Sequence, residues 1–284
     1  MSLKENKKNI LILGSRGRLG AYLKKKLTNK NFNLFYDDKK SDFSIYKNLQ
    51  RIISKNKPDI IINTIALTDL NYCESNVMDA YKSNTQVIKN IASYYETEDC
   101  KFYLIQISTD QIYFGEGPHK ENSICQPVNV YSLTKYFGEF YANKINSCII
   151  RTNFFDLFEE KRHFSFLNFA VNNLRKNKKI NGYVDILFTP VHISSISDLI
   201  MKLCEKPING IYNFGCENGI SKFSFIKKIA QYLKLNSNLI QSIISNNDQK
   251  IDRPKDMRLD CLKLKTDISW KINNLDEEIS KIRS

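Results

Sequence analysis

A tyrosine and a lysine spaced four residues apart, Tyr131 and Lys135, could carry proton chemistry. On a helix this spacing places both side chains on one face, so the ammonium group can lower the pKa of the phenol from about 10 toward neutrality. Ser108, Thr109 and Asp110 follow an apolar run and add two hydroxyls and a carboxylate. A lone Y-x-x-x-K pair is common on solvated helices, so its meaning depends on the rest of the sequence.

Three of the ten glycines fall within seven positions, Gly14, Gly17 and Gly20, directly after the apolar run NILIL. A G-x-x-G-x-x-G turn between a strand and a helix lets the backbone approach a pyrophosphate and directs a helix N-terminus at its charge. The spacing differs by one residue from the G-x-G-x-x-G of dehydrogenases, and an ordinary tight connection is the alternative. Asp37, 23 residues after Gly14, would hold the adenosine ribose hydroxyls.

Apolar runs alternate with amphipathic stretches through the first half of the chain, which predicts βαβ units. Five runs are typical of short, wholly buried strands of a parallel sheet: 9–13, 33–36, 59–65, 102–107 and 148–150. Helices are predicted between them at 19–27, 46–54, 77–95 and 131–144, and Pro58 stops the second helix before its strand. The predicted fold class is therefore α/β, with a Rossmann-like doubly wound parallel sheet.

The pattern loosens after Arg151, and we predict a change of domain there. Residues 1–151 form the dinucleotide-binding domain, to which a segment near 192–214 returns with a late strand at 211–214. Residues 152–284 form mainly a smaller α+β substrate-binding domain, with one helix ending near residue 176 and another at 222–233. The aromatic series from Phe154 to Phe169 has helix-like spacing, which favours core packing over a nucleobase slot.

The composition excludes several classes of protein. The chain has 284 residues, of which 42% are hydrophobic and 12% aromatic, so it can bury a core. Its apolar runs are far shorter than a membrane span, and the absence of an export signal leads us to expect a cytoplasmic protein. The seven cysteines include no C-x-x-C pair, which predicts neither a disulfide framework nor a zinc site.

The net charge of +13 is spread along the chain. A solvated basic face is the simplest explanation, and attraction of an anionic nucleotide substrate is the second. A role in nucleic-acid binding would rest on charge alone, so we expect no nucleic acid and no membrane as partners. His119, His163 and His192 are isolated, and each is expected to be a surface residue or a satisfied polar residue.

Taken together, these motifs resemble the extended short-chain dehydrogenases/reductases, and within them the dTDP-4-dehydrorhamnose reductase family. The segment from Arg253 to Asp260, RPKDMRLD, is similar to that subfamily's R-P-x-x-x-x-L-D signature, which many other extended members lack. The resemblance covers nearly the whole chain. Its other matching parts are the glycine turn, Asp37, 42–44, 58–63, 108–110, the Tyr131 to Glu139 motif and Arg151-Thr152.

The resemblance implies reduction of the 4-keto group of a nucleoside-diphosphate 4-keto-6-deoxyhexose by a nicotinamide, in surface polysaccharide synthesis. It implies that Tyr131 protonates the developing alkoxide, that Lys135 lowers the phenol pKa and holds the nicotinamide ribose, and that Thr109 hydrogen-bonds the carbonyl. The implied cofactor-binding residues, besides Tyr131 and Lys135, are Gly14, Ser15, Arg16, Gly17, Arg18, Leu19, Gly20, Asp37, Ala66, Thr68 and Asn84. The implied substrate-binding residues are Asp110, Asn153, Phe154 and Arg253.

Two sequence signals conflict over the choice of cofactor. Asp37 favours NADH, because a carboxylate accepts the 2′-hydroxyl and repels a 2′-phosphate. Arg16 in the glycine turn, with Lys39 and Lys40 just beyond Asp37, favours NADPH, because a guanidinium can bind the adenosine phosphate through two hydrogen bonds. Arg16 decides our prediction, which is NADPH (NADP) in preference to NADH (NAD), with use of both left open.

Several positions depart from the family's pattern and leave the sugar open. Phe154 stands where the family usually has a tryptophan of the sugar pocket, and Phe188 where it usually has a glycine near the substrate. Thr64 and Ile65 replace two alanines beside the cofactor. Tyr22 stands where some members have a glutamate that helps to bind magnesium at a dimer interface, so we predict no metal. A homodimer stays open.

Two alternative functions also stay open. An epimerase-reductase resembling GDP-fucose synthase would share the G-x-R-G loop, Gly14 to Gly17, but that family has Ser-Cys where this chain has Thr109-Asp110. A non-catalytic regulatory protein similar to the β subunit of methionine adenosyltransferase would share the fold and the R-P…L-D-C ending. The presence of Tyr131 and Lys135 favours catalysis.

Overall fold

The structure is a computed structural model that describes residues 7–28, 30–37, 41–98, 101–157, 165–245 and 251–282. The helices are α1 (Arg18–Leu27), α2 (Tyr46–Asn56), α3 (Leu70–Ser75), α4 (Val77–Tyr81), α5 (Val87–Thr97), α6 (Val130–Ala142), α7 (Phe166–Arg175), α8 (Ile193–Glu205), α9 (Lys222–Tyr232), α10 (Leu262–Ile268) and α11 (Leu275–Ile279). The strands are β1 (Lys8–Leu13), β2 (Phe32–Tyr36), β3 (Ile60–Asn63), β4 (Tyr103–Thr109), β5 (Ser147–Thr152), β6 (Phe154–Phe155), β7 (Ile180–Tyr183), β8 (Leu187–Phe188), β9 (Val191–His192), β10 (Gly210–Phe214), β11 (Ile220–Ser221), β12 (Ile240–Ile243) and β13 (Asp256–Met257).

The chain forms two compact units. The first contains Met1–Ser108, Asn129–Ile150 and Ser197–Ile211, and the second contains Thr109–Val128, Arg151–Ile196 and Tyr212–Ser284. The sequence placed residues 109–128 in the dinucleotide-binding domain, whereas the structure groups them with the second unit. The reason is long-range bonding within that unit: the Tyr113 hydroxyl donates to Asn213 Oδ1 at 2.9 Å, and the Gly117 amide donates to Asp256 Oδ2 at 2.8 Å.

A six-stranded sheet with the order β10-β5-β4-β3-β1-β2 dominates the first unit. β1 pairs in parallel with β2 and β3, and β3 pairs in parallel with β4. The chain moves from β1 to β2 on one side and then to β3 on the other, so a topological switch point lies between the carboxyl ends of β1 and β3. This confirms the predicted α/β fold with a Rossmann-like parallel sheet.

The second strand differs from the prediction. The residues of β1, β3 and β4 are almost all buried, but β2 is partly exposed, and the Tyr36 ring is 36% exposed. β2 is the last strand of the sheet, so one of its edges has no neighbouring strand to cover it. The prediction that it is wholly buried was therefore wrong, although its location along the chain was correct.

The helix predicted at 77–95 is divided into three parts. α4 is followed by one π-helical turn, Lys82–Gln86, and then by α5. A π-turn inserts an extra residue and frequently marks a functional site. Here it turns two buried polar residues toward α6: Thr85 Oγ1 donates to the Thr134 carbonyl at 2.7 Å, and Asn84 Nδ2 donates to Thr134 Oγ1 at 3.1 Å. Apolar periodicity cannot reveal such a turn.

The second unit is built on small sheets and an aromatic cluster. β8 lies between β11 and β13, β7 pairs with β12, and β6 pairs with β9. The Phe225 ring packs edge-to-face against Phe155 and Phe188, with centroid distances of 5.1 and 5.2 Å. Phe166 and Phe169 of the aromatic series are instead 39% and 45% exposed, so the core-packing interpretation was wrong for them. Phe164 lies outside the described residues.

No helix in the described part of the chain has the length and apolar character needed to span a membrane.

Candidate active site

The glycine turn after β1 is closed too tightly for side chains. Gly14 has φ +82°, and a Cβ atom there would lie 2.7 Å from Thr64 Oγ1, next to the end of β3. A Cβ at Gly20 would lie 2.2 Å from the Gly14 carbonyl oxygen, and the Gly17 amide donates to the same oxygen at 2.9 Å. The turn therefore presents backbone at the switch point, followed by the N-terminus of α1, whose first turn has no acidic residue. This arrangement fits a pyrophosphate.

The end of β2 is tied to this turn. Ser15 Oγ donates to the Asp37 carbonyl at 3.2 Å, so the backbone of the predicted ribose-binding residue is held beside the glycines. The Arg16 side chain is exposed. Lys39 and Lys40 lie outside the described residues. The prediction that Arg18 and Leu19 contribute backbone groups stays a prediction, with both residues opening α1.

Asn84 organises the loop after β3. Its Oδ1 accepts from the Leu67 amide at 2.9 Å, and its Nδ2 donates to the Leu67 carbonyl at 3.0 Å. Asn84 is fully buried, whereas Ala66 and Thr68 on either side of Leu67 are exposed. In this structure Asn84 therefore holds the loop against α6 and leaves Ala66 and Thr68 as the residues that can face a ligand.

Tyr131 and Lys135 lie in the first two turns of α6. Asn129 caps this helix in a reciprocal pair with Ser132, which fixes where the helix begins. Both side chains are buried, and Lys135 Nζ donates to the Ile107 carbonyl at 2.7 Å. Burial lowers the pKa of Lys135 to about 8, and the nearby Glu139 acts in the opposite direction.

An ammonium group has three N–H donors. In the described residues, the bond to Ile107 is the single protein hydrogen bond of Lys135, so two donors remain for other acceptors. These donors fit the ribose hydroxyls of a nicotinamide nucleotide, in keeping with the role that the resemblance implied.

Thr109 and Asp110 belong to the second unit. Asp110 is fully buried, and its carboxylate accepts from Asn153 Nδ2 at 3.1 Å and from Thr109 Oγ1 at 3.3 Å. Three of the predicted residues therefore come together. Burial raises the pKa of Asp110, and the positive charge of Lys222 is the main influence that opposes this rise.

Lys222 is a site residue that sequence reasoning missed. Its Nζ lies 3.3 Å from the centroid of the Phe188 ring, and Phe188 replaces the family's glycine. Burial and the charge of Arg253 lower the pKa of Lys222, whereas Asp110 raises it. Lys222 is therefore under the influence of one buried carboxylate and of a second cation. Phe154, the other substituted position, is half-buried in β6 and pairs with Val191.

Asp256 and Arg258 of the R-P-x-x-x-x-L-D segment bond to each other and to Gly117 within the second unit. Arg258 Nη2 donates to Asp256 Oδ2 at 2.6 Å and to the Gly117 carbonyl at 2.8 Å. His119 donates to the Asp256 carbonyl with its Nε2 at 2.9 Å, and its ring stacks on Tyr113. The segment therefore fixes the course of the chain that follows Asp110.

The histidines match their expected roles where they are described. His119 is buried and bonded as above, and His192 is buried, with Nδ1 lying 2.7 Å from Ser194 Oγ. His163 lies outside the described residues. Within the described ranges, no group of three His, Cys, Asp or Glu side chains could hold a metal ion.

A parallel sheet with a glycine turn at its switch point, and a helix carrying Tyr131 and Lys135, define an oxidoreductase of the short-chain dehydrogenase/reductase class. Within that class, the chain belongs to the RmlD substrate binding domain family, which matches residues 8–283.

Two of the similar proteins are reductases by name, and a third is a subunit of a transferase. A dTDP-4-dehydrorhamnose reductase from Aggregatibacter actinomycetemcomitans is 28% identical, over 97% of this chain and 98% of its own length. Methionine adenosyltransferase 2 subunit beta from Pongo abelii is 24% identical, over 91% of this chain and 82% of its own. The crystal structure of dTDP-4-dehydrorhamnose reductase from Bacillus anthracis in complex with NADP superposes with a TM-score of 0.88 at 23% identity, covering 98% of this chain and 99% of that one.

Proposed function

We propose that this protein uses NADPH to reduce the 4-keto group of a nucleoside-diphosphate 4-keto-6-deoxyhexose, as a step in surface polysaccharide synthesis. The observation that carries the proposal is the buried Tyr131–Lys135 pair on α6, with the Lys135 ammonium anchored on β4. The name of the Aggregatibacter relative supports this choice of substrate class.

The bound nicotinamide supplies hydride to C4 of the sugar. Tyr131 donates the proton that the developing alkoxide needs, and a residue in this role contributes a factor of about 10² to 10⁴ in rate. Lys135 supports the proton transfer through its positive charge and binds the ribose with its remaining N–H donors. In the second unit, Thr109 has one O–H group, which donates to Asp110 in the structure and turns to the carbonyl oxygen of the substrate when the substrate binds. Asn153 donates to the Asp110 carboxylate and so keeps that acceptor in place.

The cofactor is held by the backbone of the glycine turn, by Asp37 and by the exposed loop residues Ala66 and Thr68. Arg16 is exposed at the turn, where its guanidinium can reach a 2′-phosphate, and this supports NADPH over NADH. In the second unit, Arg253 and Lys222 bind the anionic substrate, because both are cations and they lie close enough for the charge of Arg253 to act on Lys222.

The test is turnover of dTDP-4-dehydrorhamnose with NADPH by the wild type and by Tyr131→Phe. The variant keeps the ring but loses the acid, so it should bind NADPH normally and lose most of its activity. Tyr136→Phe is the matched control, because it removes a hydroxyl from a partly exposed ring on the same helix. Near-normal turnover by Tyr131→Phe would contradict the mechanism.

A regulatory role is the second candidate, favoured by the similarity to methionine adenosyltransferase 2 subunit beta. It predicts NADPH binding without turnover of any 4-keto sugar nucleotide. The assay should therefore also include a GDP-linked 4-keto-6-deoxyhexose, which tests the epimerase-reductase alternative. Product from either substrate would exclude a purely regulatory protein.

A further inference from the structure

Glu139 lies one helical turn after Lys135, on the same face of α6. Both side chains are 3% exposed, although charged side chains are rarely buried without a partner. A buried glutamate at this position requires an explanation that helix formation alone does not provide, since an exposed glutamate would stabilise the helix equally well.

The two charged groups are bonded to consecutive residues of β4. Lys135 Nζ donates to the Ile107 carbonyl at 2.7 Å, and Ser108 Oγ donates to Glu139 Oε1 at 2.5 Å. The helix that carries Tyr131 is thus attached to the end of β4 by a cation and an anion side by side.

The charge of Glu139 opposes the effect of burial on the pKa of Lys135. Burial lowers the pKa of Lys135 to about 8, and Glu139 is the charge that raises it. Without Glu139, no opposite charge would counter desolvation, and Lys135 would lose its proton at a lower pH.

Other titratable groups lie on the elements packed against α6 in the first unit. Glu74 on α3 accepts from the Val130 amide at 2.8 Å, and Asp79 on α4 accepts from the Tyr72 hydroxyl at 3.0 Å. The others are Lys82 on the π-turn, which is exposed, Tyr81 on α4, Lys89, Tyr94, Tyr95 and Glu96 on α5, Cys73 on α3, Tyr103 on β4 and Cys148 on β5. The Lys89 Nζ lies 5.9 Å from the Tyr141 ring centroid, and the Tyr103 hydroxyl donates to the Ile208 carbonyl. Among the described residues, Glu139 is the charge that acts on Lys135.

We propose that Glu139 is a positioning residue, which keeps Lys135 protonated and fixed on β4 at neutral pH. Its consequence for turnover rests on the proposed function, in which a charged Lys135 supports proton donation by Tyr131. Its effect on the titration of Lys135 does not depend on any substrate.

The first measurement is therefore made on the protein without cofactor. Lysine side chains are labelled with ¹³C at Cε, the Lys135 signal is assigned with Lys135→Met, and its titration is followed by NMR. The wild type should titrate near pH 8. Glu139→Gln keeps an acceptor for Ser108 but removes the charge, so the midpoint should fall by roughly one to two pH units.

Ser108→Ala is the matched control, since it removes the hydrogen bond and retains the charge; its midpoint should stay close to that of the wild type. Glu139→Asp keeps the charge at a greater distance and should titrate between the wild type and Glu139→Gln. This variant also serves if Glu139→Gln does not fold. The second measurement is the pH profile of turnover, whose alkaline limb should move to lower pH in the same order.

An unchanged Lys135 midpoint in folded Glu139→Gln, or an equal shift in Ser108→Ala, would overturn the proposal. If Glu139→Gln does not fold, an unchanged midpoint in Glu139→Asp would overturn it. A lower Lys135 midpoint in Glu139→Gln, together with a wild type that reduces no 4-keto sugar, would support the role of Glu139 and contradict the proposed function. The two ideas can therefore fail separately.

Discussion

The glycine turn makes a quantitative prediction for Gly20→Ala. The new Cβ would lie 2.2 Å from the Gly14 carbonyl oxygen and 2.8 Å from its carbonyl carbon, whereas ordinary contacts begin near 3.4 Å. Gly14 cannot move away easily, because it has φ +82° and is packed against Thr64. The turn and α1 must therefore separate by about an ångström, and overpacking of this kind costs about 1 to 3 kcal/mol.

The same movement displaces the helix N-terminus from the backbone that would face the pyrophosphate. Gly20→Ala should therefore lower both the free energy of unfolding in urea and the affinity for NADPH, measured by fluorescence titration. Gly17→Ala is the control, because its Cβ meets the Gly14 oxygen at 3.3 Å and its φ is −73°. It should keep wild-type stability. Wild-type stability of Gly20→Ala, or equal destabilisation by both variants, would refute this reasoning.

Three further variants test the site. Lys135→Met should weaken NADPH binding as well as turnover, because its N–H donors serve the ribose and its charge serves the phenol; loss of turnover with unchanged NADPH affinity would show that it has only one role. Arg16→Ala should weaken NADPH selectively, which the ratio of NADPH to NADH dissociation constants measures. An equal loss for both cofactors, or an NADH preference in the wild type, would show that Asp37 sets the choice. Lys222→Met should weaken the affinity for dTDP, measured by calorimetry, by roughly tenfold or more, because it removes a hydrogen bond between charged groups. The affinity for NADPH should stay unchanged. Unaltered dTDP affinity would remove Lys222 from the substrate site.

The central sheet could be predicted because its strands are local apolar runs. Each predicted strand of the first half coincides with an observed strand to within two residues at either end, and α1, α2 and α6 begin within one residue of their predicted starts. The prediction failed where neighbours decide the outcome. α3 and the short strands of the second unit are too short to show a clear periodicity, and they are stabilised by packing within their own unit rather than by sequence pattern.

The candidate site also has parts that the sequence could predict and a part that it could not. The glycine turn and the Tyr131–Lys135 pair depend on backbone conformation and on the helical repeat, which act between residues close in sequence. Lys222 could not be found in this way, because its relation to Asp110 spans 112 positions and depends on how α9 packs. Lys222 directly follows Ser221, the N-cap of α9, and a lysine at the start of a helix does not by itself indicate a functional site.

The sequence by itself determined the fold class, the glycine turn and the pairing of Tyr131 with Lys135 on one helix, because these depend on short-range geometry. Only the tertiary structure decided which charges are buried and what opposes their burial. Glu139 reaches Ser108 and Lys222 lies on Phe188 through packing between elements distant in the chain, and desolvation then changes the pKa values of Lys135 and Asp110. Electrostatic energies depend on distance and on exclusion of water, and neither is a property of the sequence until the chain has folded.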